Sequence, residues 1–288
     1  MIKISIADSN CKQKLYELWK LAFEENDLFT SLFFENAYQS ENCIVAEENN
    51  ILVSALHMLP SQIVIGSNRT EKAQYIYGAA TLKEFRGQGI MKMLLEYADE
   101  YGRKHGEKYS ILMPANDNLF EFYKKCGYTK FYKIKEIILK RDELNKFCAT
   151  KYSIRYNFTI DNIDKLRFNN IIDNCGSVLW NKNHLKYAVK LVQAENGFVI
   201  CTEDSYVFVT QEKSTAIIKE IICNDCSFGV LLSEIMKNTT ANTFIFRLKE
   251  DSPIFKNMGT IKYNGMIKSL CGESISDCQY PYLGLTLD

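Results

Sequence analysis

The sequence predicts an α/β protein with a mixed sheet, laid out as two similar lobes. Three observations predict it. Apolar strand-like runs occur both in adjacent pairs and separated by helices; an Arg-Gly-x-Gly turn joins one such run to a strongly periodic helix; and the order of elements in the first half recurs, worn, in the second. The strict strand-helix alternation of a doubly wound sheet is missing.

The elements follow in order. Ile2 to Ala7 alternates as a strand, and Lys14 to Phe23 carries Leu15, Leu18, Trp19 and Phe23 at helical spacing. A short helix covers Phe29 to Ala37. Ile44 to Ala46 and Ile51 to Leu59 form a hairpin, because Glu48-Asn49-Asn50 supplies residues that tolerate left-handed backbone. Tyr75 to Leu82 is aromatic and aliphatic and reads as a strand. Gln88 to His105 is the long helix, through Ile90, Leu94, Tyr97, Ala98 and Tyr101. A strand over Tyr109 to Met113, a helix over Leu119 to Cys126 and a strand over Lys130 to Leu139 complete the lobe.

Arg141 to Thr150 is charged and weakly patterned, which sets the expected boundary between a first domain at 1–141 and a second at 150–288. In the second, Glu195 to Ile200 with Val207 to Val209 parallels Glu41 to Ala46 with Ile51 to Val53. Ile217 to Ile222, Phe228 to Met236 and Thr243 to Leu248 then repeat the later strand-helix-strand order, and Phe255 to Gly259 parallels Tyr123 to Gly127.

Composition excludes several classes. With 35 basic and 35 acidic residues the net charge is zero, which argues against a nucleic-acid binder. No apolar run approaches the ~20 residues needed to cross a bilayer, and the N-terminus alternates like a strand rather than a signal peptide, so a cytoplasmic protein is expected. In that setting the 10 cysteines are expected as reduced thiols. Cys223-Asn224-Asp225-Cys226 has metal-ligand spacing, and Cys271 with Cys278 offers another pair, but neither has a second matching partner, so no metal is expected.

Chemistry concentrates at Arg86-Gly87-Gln88-Gly89-Ile90-Met91. Glycines let the backbone approach a bulky anion, the first N–H groups of the following helix point at it, and Arg86 adds charge. The spacing is neither the G-x-G-x-x-G of a dinucleotide fold nor the G-K-S/T of a P-loop. Further on, Pro114-Ala115-Asn116 precedes Phe122-Tyr123-Lys124-Lys125-Cys126-Gly127-Tyr128.

In this order the two segments resemble the Q/R-x-x-G-x-G/A acetyl-CoA signature and the later N-x6-Y-x3-G-F/Y block of the GNAT superfamily of N-acetyltransferases. Met91 departs from the signature and fits only if its side chain turns away from the cofactor. The duplicated layout resembles the tandem GNAT proteins, in particular the two acetyltransferase-like lobes of the enhanced-intracellular-survival family. The resemblance implies a GNAT fold in which two central strands splay apart, and acetyl-CoA as cosubstrate. It assigns the pyrophosphate to Arg86, Gly87, Gln88, Gly89, Ile90 and Met91, the pantetheine arm to the backbone of Ala80, Thr81 and Leu82, and Asn116 to the same cofactor site. Tyr123 stands at the position of the general acid that protonates the leaving thiolate; the alternative is a ring packed for its own sake among Phe120, Phe122 and Tyr128.

The second lobe is expected to be degenerate, since Asp225-Cys226-Ser227-Phe228-Gly229 has no basic residue and an acid where phosphate would sit, and Phe255 has no hydroxyl. The general base stays open. His57 lies near the expected cleft but among Leu56, Met58 and Leu59, as a core histidine would. Glu24, Glu25, Asn26 and Asp27 either attract a cationic amine or form a solvated turn before a helix. Asp288 ends a strand-like run, and in longer relatives a C-terminal carboxylate reaches the active site. The acceptor is a small-molecule or peptide amine, without nucleic acid or membrane; homo-oligomerisation is left open. Transfer of a larger acyl or aminoacyl group, and a non-catalytic acyl-CoA sensor, are the competing readings.

Overall fold

The computed structural model describes residues 1–273, 275 and 278–287. The chain forms two compact units that interleave along the sequence. One comprises Met1–Ile65, Arg69–Phe131 and Gly265–Ser276; the other comprises Gly66–Asn68, Tyr132–Asn264 and Asp277–Asp288. The first unit begins with β1 (Ile2–Ile6), α1 (Lys12–Phe23), α2 (Asp27–Asn36), β2 (Cys43–Glu48), β3 (Ile51–Gly66), β4 (Arg69–Thr81), α3 (Ile90–Lys104), β5 (Tyr109–Leu112) and α4 (Asp117–Lys125). The chain continues through β6 (Thr129–Lys140), α5 (Arg141–Leu144), α6 (Ile160–Ile171), β7 (Val178–Trp180), α7 (Lys182–Ala194), β8 (Phe198–Cys201), β9 (Tyr206–Glu212), β10 (Thr215–Ile222), α8 (Asp225–Asn238), β11 (Thr243–Lys249) and β12 (Thr260–Ser269).

Strand order in the first unit is β1-β2-β3-β4-β5-β12, and in the second β6-β11-β10-β9-β8. The two plans match. Each has antiparallel neighbours, one parallel pair (β4 with β5, β10 with β11), and then an antiparallel strand supplied by a distant stretch of sequence. In the first unit that strand is β12, with Met266 opposite Leu112 and Ser269 opposite Tyr109; in the second it is β6, with Ile137 opposite Phe246 and Leu139 opposite Phe244. A single boundary near 141–150 therefore differs from the observed division, because each unit takes the strand that a contiguous division assigns to the other. Pattern along one segment reports burial and period, not the partner it pairs with.

The local reasons are plain. Asn49 and Asn50 carry φ of 50° and 66°, the left-handed pair that closes the β2–β3 hairpin. α1 buries Leu15, Leu18 and Trp19 on one face; α3 buries Ile90, Leu94, Leu95 and Ala98. β4 starts at Arg69 rather than Tyr75, since its first four residues are polar and at most half-buried and give no apolar signal. The first core joins α3 and α4 to β2, β3, β4 and β12 through Ile44, Leu56, Leu94, Phe120 and Met266; the second gathers Ile137, Val209, Ile218, Leu231, Phe244 and Phe246.

The expectation of thiols throughout is corrected at one pair. Cys175 and Cys278, separated by 103 residues, are joined as a disulfide with Cα atoms 5.0 Å apart. Composition cannot reveal which of ten cysteines the fold brings together, and the pairing of Cys278 with Cys175 displaces the notion of a Cys271–Cys278 pair.

Candidate active site

β4 and β5 pair in register only from Ala73–Tyr109 to Tyr75–Ile111, after which β4 runs on to Thr81. The strands part near Gly78, which has φ of 56°; a Cβ there would meet the Trp19 ring at 2.2 Å. Glycine is thus required twice over, by its backbone and by the indole lying on it.

Beyond Gly78, Ala80 and Leu82 turn toward β3. The Ser54 hydroxyl donates to the Ala80 carbonyl at 2.8 Å, and the Leu82 N–H donates to the Val53 carbonyl at 2.9 Å. Leu82 is therefore not an available donor. Because a strand's N–H and C=O groups alternate between its edges, Thr81 faces the other way, and its carbonyl accepts Arg86 Nε at 3.0 Å.

Past a short turn at Lys83–Phe85, Gly87 and Gly89 both have φ of 79°, with no atom within 4 Å of where a Cβ would be. Gly89 occupies the N-cap of α3, and no side chain caps the helix. Its first N–H groups are left without the usual side-chain acceptor, in the geometry that binds anions. Arg86 and Gln88 are exposed beside this turn, with Gln88 Nε2 on the Glu84 carbonyl at 3.3 Å. Ile90 is buried, and Met91 is half-buried and packs against the core, as does Phe85.

α4 begins at Asn116, whose side-chain oxygen accepts the Leu119 N–H at 3.2 Å; this group acts as a helix cap. Tyr123 projects from α4 with 8% exposure, edge-on to Phe122 and Tyr128. Its hydroxyl has no hydrogen-bond partner among the described residues. Burial, with the Cys126 thiol adding to it, pushes the phenol up to about 12. Neighbouring Tyr128 is, by contrast, tied to Ser110 at 2.6 Å.

The candidate bases resolve differently. His57 is 2% exposed and ringed by Trp19, Phe33, Phe34 and Tyr38, with centroid distances of 5.6, 4.7, 6.2 and 5.8 Å. Its Nδ1 has no partner, and burial pushes it down to about 3. It is a neutral wall of the aromatic core. Asn26 caps α2 by accepting the Leu28 and Phe29 N–H groups, and Asp27 pairs with Lys20. Glu24 takes left-handed backbone at the end of α1, and Glu25 accepts the Trp19 indole N–H at 2.6 Å. Asp288 lies outside the described residues.

Sequence reasoning missed two supports. Ser54 binds both the Ala80 carbonyl and the Thr81 hydroxyl, each at 2.8 Å. Lys268, on β12, reaches Asp99 of α3 and the Cys126 carbonyl at the end of α4, at 2.7 Å for the latter. Nothing local marks Lys268, whose partner lies 142 residues away.

The second unit repeats the parted strands but closes the helix start. Asn224 caps α8 by accepting the Ser227 N–H at 2.8 Å, and Ser227 donates its hydroxyl back, while Asp225 fills the first turn. Phe255, the counterpart of Tyr123, is packed among Phe147, Phe228 and Phe246. Among the described residues no group of three or more metal-ligating side chains comes together, Cys223 and Cys226 included, and no helix is long and apolar enough to cross a membrane.

Parted parallel strands followed by a glycine turn and an uncapped helix give the first unit the layout of the GNAT fold. Residues 3–131 match the acetyltransferase (GNAT) domain family. The fold likeness extends over nearly the whole chain. A GCN5-related N-acetyltransferase from Kribbella flavida is 15% identical with a TM-score of 0.76, covering 94% of this chain and 72% of that one. A protein of unknown function from Enterococcus faecalis V583, described as a probable N-acyltransferase, is 15% identical with a TM-score of 0.73, covering 94% and 73%. Eis1 from Mycobacterium abscessus, at 11% identity and a TM-score of 0.68, covers 94% and 74%. No curated protein matches in sequence.

Proposed function

We propose that the first unit transfers an acetyl group from acetyl-CoA to a primary amine, and that the second unit binds no cofactor. The observation that carries the reading is the contrast between two helix starts: α3 opens on uncapped Gly89, and α8 is closed by its own Asn224–Ser227 box.

Acetyl-CoA supplies the activated acyl group as a thioester. The α3 N–H groups are suited to a diphosphate, with Gly87 and Gly89 permitting backbone approach and Arg86 adding positive charge. Thr81, on the open edge of β4, is the backbone donor best placed for the acyl carbonyl. Tyr123 keeps an uncommitted hydroxyl and donates it to the leaving sulfur. A phenol at about 12 is protonated throughout the physiological range, and the burial that raises it also raises a thiol beside it above the ordinary value of about 8.5. The uncommitted hydroxyl on a nearly buried ring favours an enzyme over an acyl-CoA sensor, which has no use for an acid there.

Isothermal titration with acetyl-CoA, paired with an amine panel scored by free CoA release, tests the reading. Arg86→Ala should weaken binding roughly 10- to 100-fold, the worth of a charged hydrogen bond. Gly89→Val should abolish it, because its side chain enters space the backbone leaves open. Unchanged affinity in both variants refutes the site.

A further inference from the structure

The C-terminal segment of the second unit is buried although it forms no helix or strand. Tyr282, Leu283, Leu285 and Leu287 are each less than a tenth exposed. It runs along the stretch before β7: the Asn174 amide donates to the Tyr280 carbonyl at 2.8 Å, Val178 N–H to the Tyr282 carbonyl at 2.9 Å, and Tyr282 N–H to the Ser177 hydroxyl at 3.1 Å. Arg167, itself buried against Glu220 of β10, donates to the Leu283 carbonyl at 3.1 Å. Gly284 lies so close to this ion pair that a Cβ would fall 2.2 Å from Glu220. Tyr282 also lines a cavity of about 170 Å³ with Ile221 and Ile222 of β10, Lys249 of β11 and Asn224. The chain's own tail thus sits where β10 and β11 part.

One covalent link joins this tail to the unit. Cys175 follows Asn174 directly, and Cys278 stands just ahead of Tyr280, so the bridge closes the near end of the same ladder of hydrogen bonds. Both cysteines are half-buried, within reach of small thiols. We propose that Cys175 and Cys278 form a thiol–disulfide latch that oxidation closes and reduction opens, fastening residues 278–287 in the cleft between β10 and β11.

The chemistry balances with a low-molecular-weight disulfide as oxidant. One cysteine thiolate attacks that disulfide, forming a mixed disulfide and releasing one thiolate. The second cysteine thiolate then attacks the protein-bound sulfur and releases the other. Two protein thiols lose two electrons and two protons, and the small disulfide becomes two thiols. The loop closed spans 103 residues, so opening it returns much chain entropy to the unfolded state.

The test uses the full chain equilibrated in glutathione buffers of stepped thiol-to-disulfide ratio, or in dithiothreitol, followed by acid quench, alkylation and peptide mapping. Hydrogen exchange across 279–287 is read on the same samples. The bridge should form in oxidising glutathione and vanish in dithiothreitol. Opening it should speed tail exchange at least about tenfold and lower the melting temperature by about 10 °C. Cys175→Ser in oxidising buffer should behave as the reduced wild type. Alkylation of both cysteines at every ratio would overturn the latch. So would equal tail exchange in the bridged and opened wild type, a comparison that needs no variant.

Discussion

Tyr123→Phe removes one oxygen from a side chain whose ring is already fixed by Phe122 and Tyr128. Because the hydroxyl has no partner, deleting it strands no donor or acceptor. Stability should therefore hold. Binding of acetyl-CoA at the proposed α3 site should be unaffected, because that proposal uses backbone from another element. Turnover should fall by ~10²-fold or more, about 2.7 kcal/mol of transition-state stabilisation, if the hydroxyl serves the leaving sulfur. The pH profile sharpens the test: with the phenol at about 12, wild-type turnover should show no loss from its ionisation up to about pH 10. The assay follows free thiol release under saturating substrates, beside thermal melting and calorimetric binding. A change in turnover below threefold, with melting and affinity intact, would refute a catalytic hydroxyl and leave the ring as packing.

The remaining predictions concern stability and stoichiometry. Gly78→Ala should cost about 2–4 kcal/mol in denaturant unfolding, since a Cβ must displace the buried Trp19 ring and adopt left-handed backbone; a loss under about 0.5 kcal/mol contradicts that packing. Glu107 is raised by burial, against the lowering influence of His105 and Lys72, and one of its oxygens has no partner. A carboxyl raised in the folded state contributes stability below its unfolded value of about 4.3 and loses it as pH rises through the folded value. Glu107→Gln should therefore raise the melting temperature at pH 7.5 but not at pH 4, and equal shifts at both would show that the charge is not the cost. Calorimetry should find one CoA site per chain; two would contradict the closed start of α8.

Features held within a few residues were legible in the sequence. The Asn49–Asn50 hairpin, the glycine turn and the long helix after it are each decided by backbone sterics and periodicity over one short window. α7 was not among the expected elements, although Leu185, Ala188, Val189 and Val192 recur at helical spacing behind the cap Asn181. α6 was harder: its buried face includes Arg167, a residue that pattern reading assigns to solvent. The exchanged strands could not be read at all. β6 and β12 have ordinary strand patterns, and what places Met266 against Leu112 is complementarity between segments more than a hundred residues apart. The same limit hid Lys268 and the Cys175–Cys278 pair.

At the candidate site, sequence identified residue types, and their local bonds then sort them. Ala80, Thr81 and Leu82 form one backbone run, yet the alternation of strand edges commits Leu82 to Val53 and leaves Thr81 on the open side. Asn116 and Asn224 both begin helices, and each spends its side chain on its own helix. Gly89 cannot do so. Lacking a side chain, it leaves the N-terminal donors of α3 without a side-chain acceptor. Between the two matching strand plans, a left-handed glycine in place of a capping asparagine turns a self-satisfied helix start into one whose first N–H groups stay open to an anion.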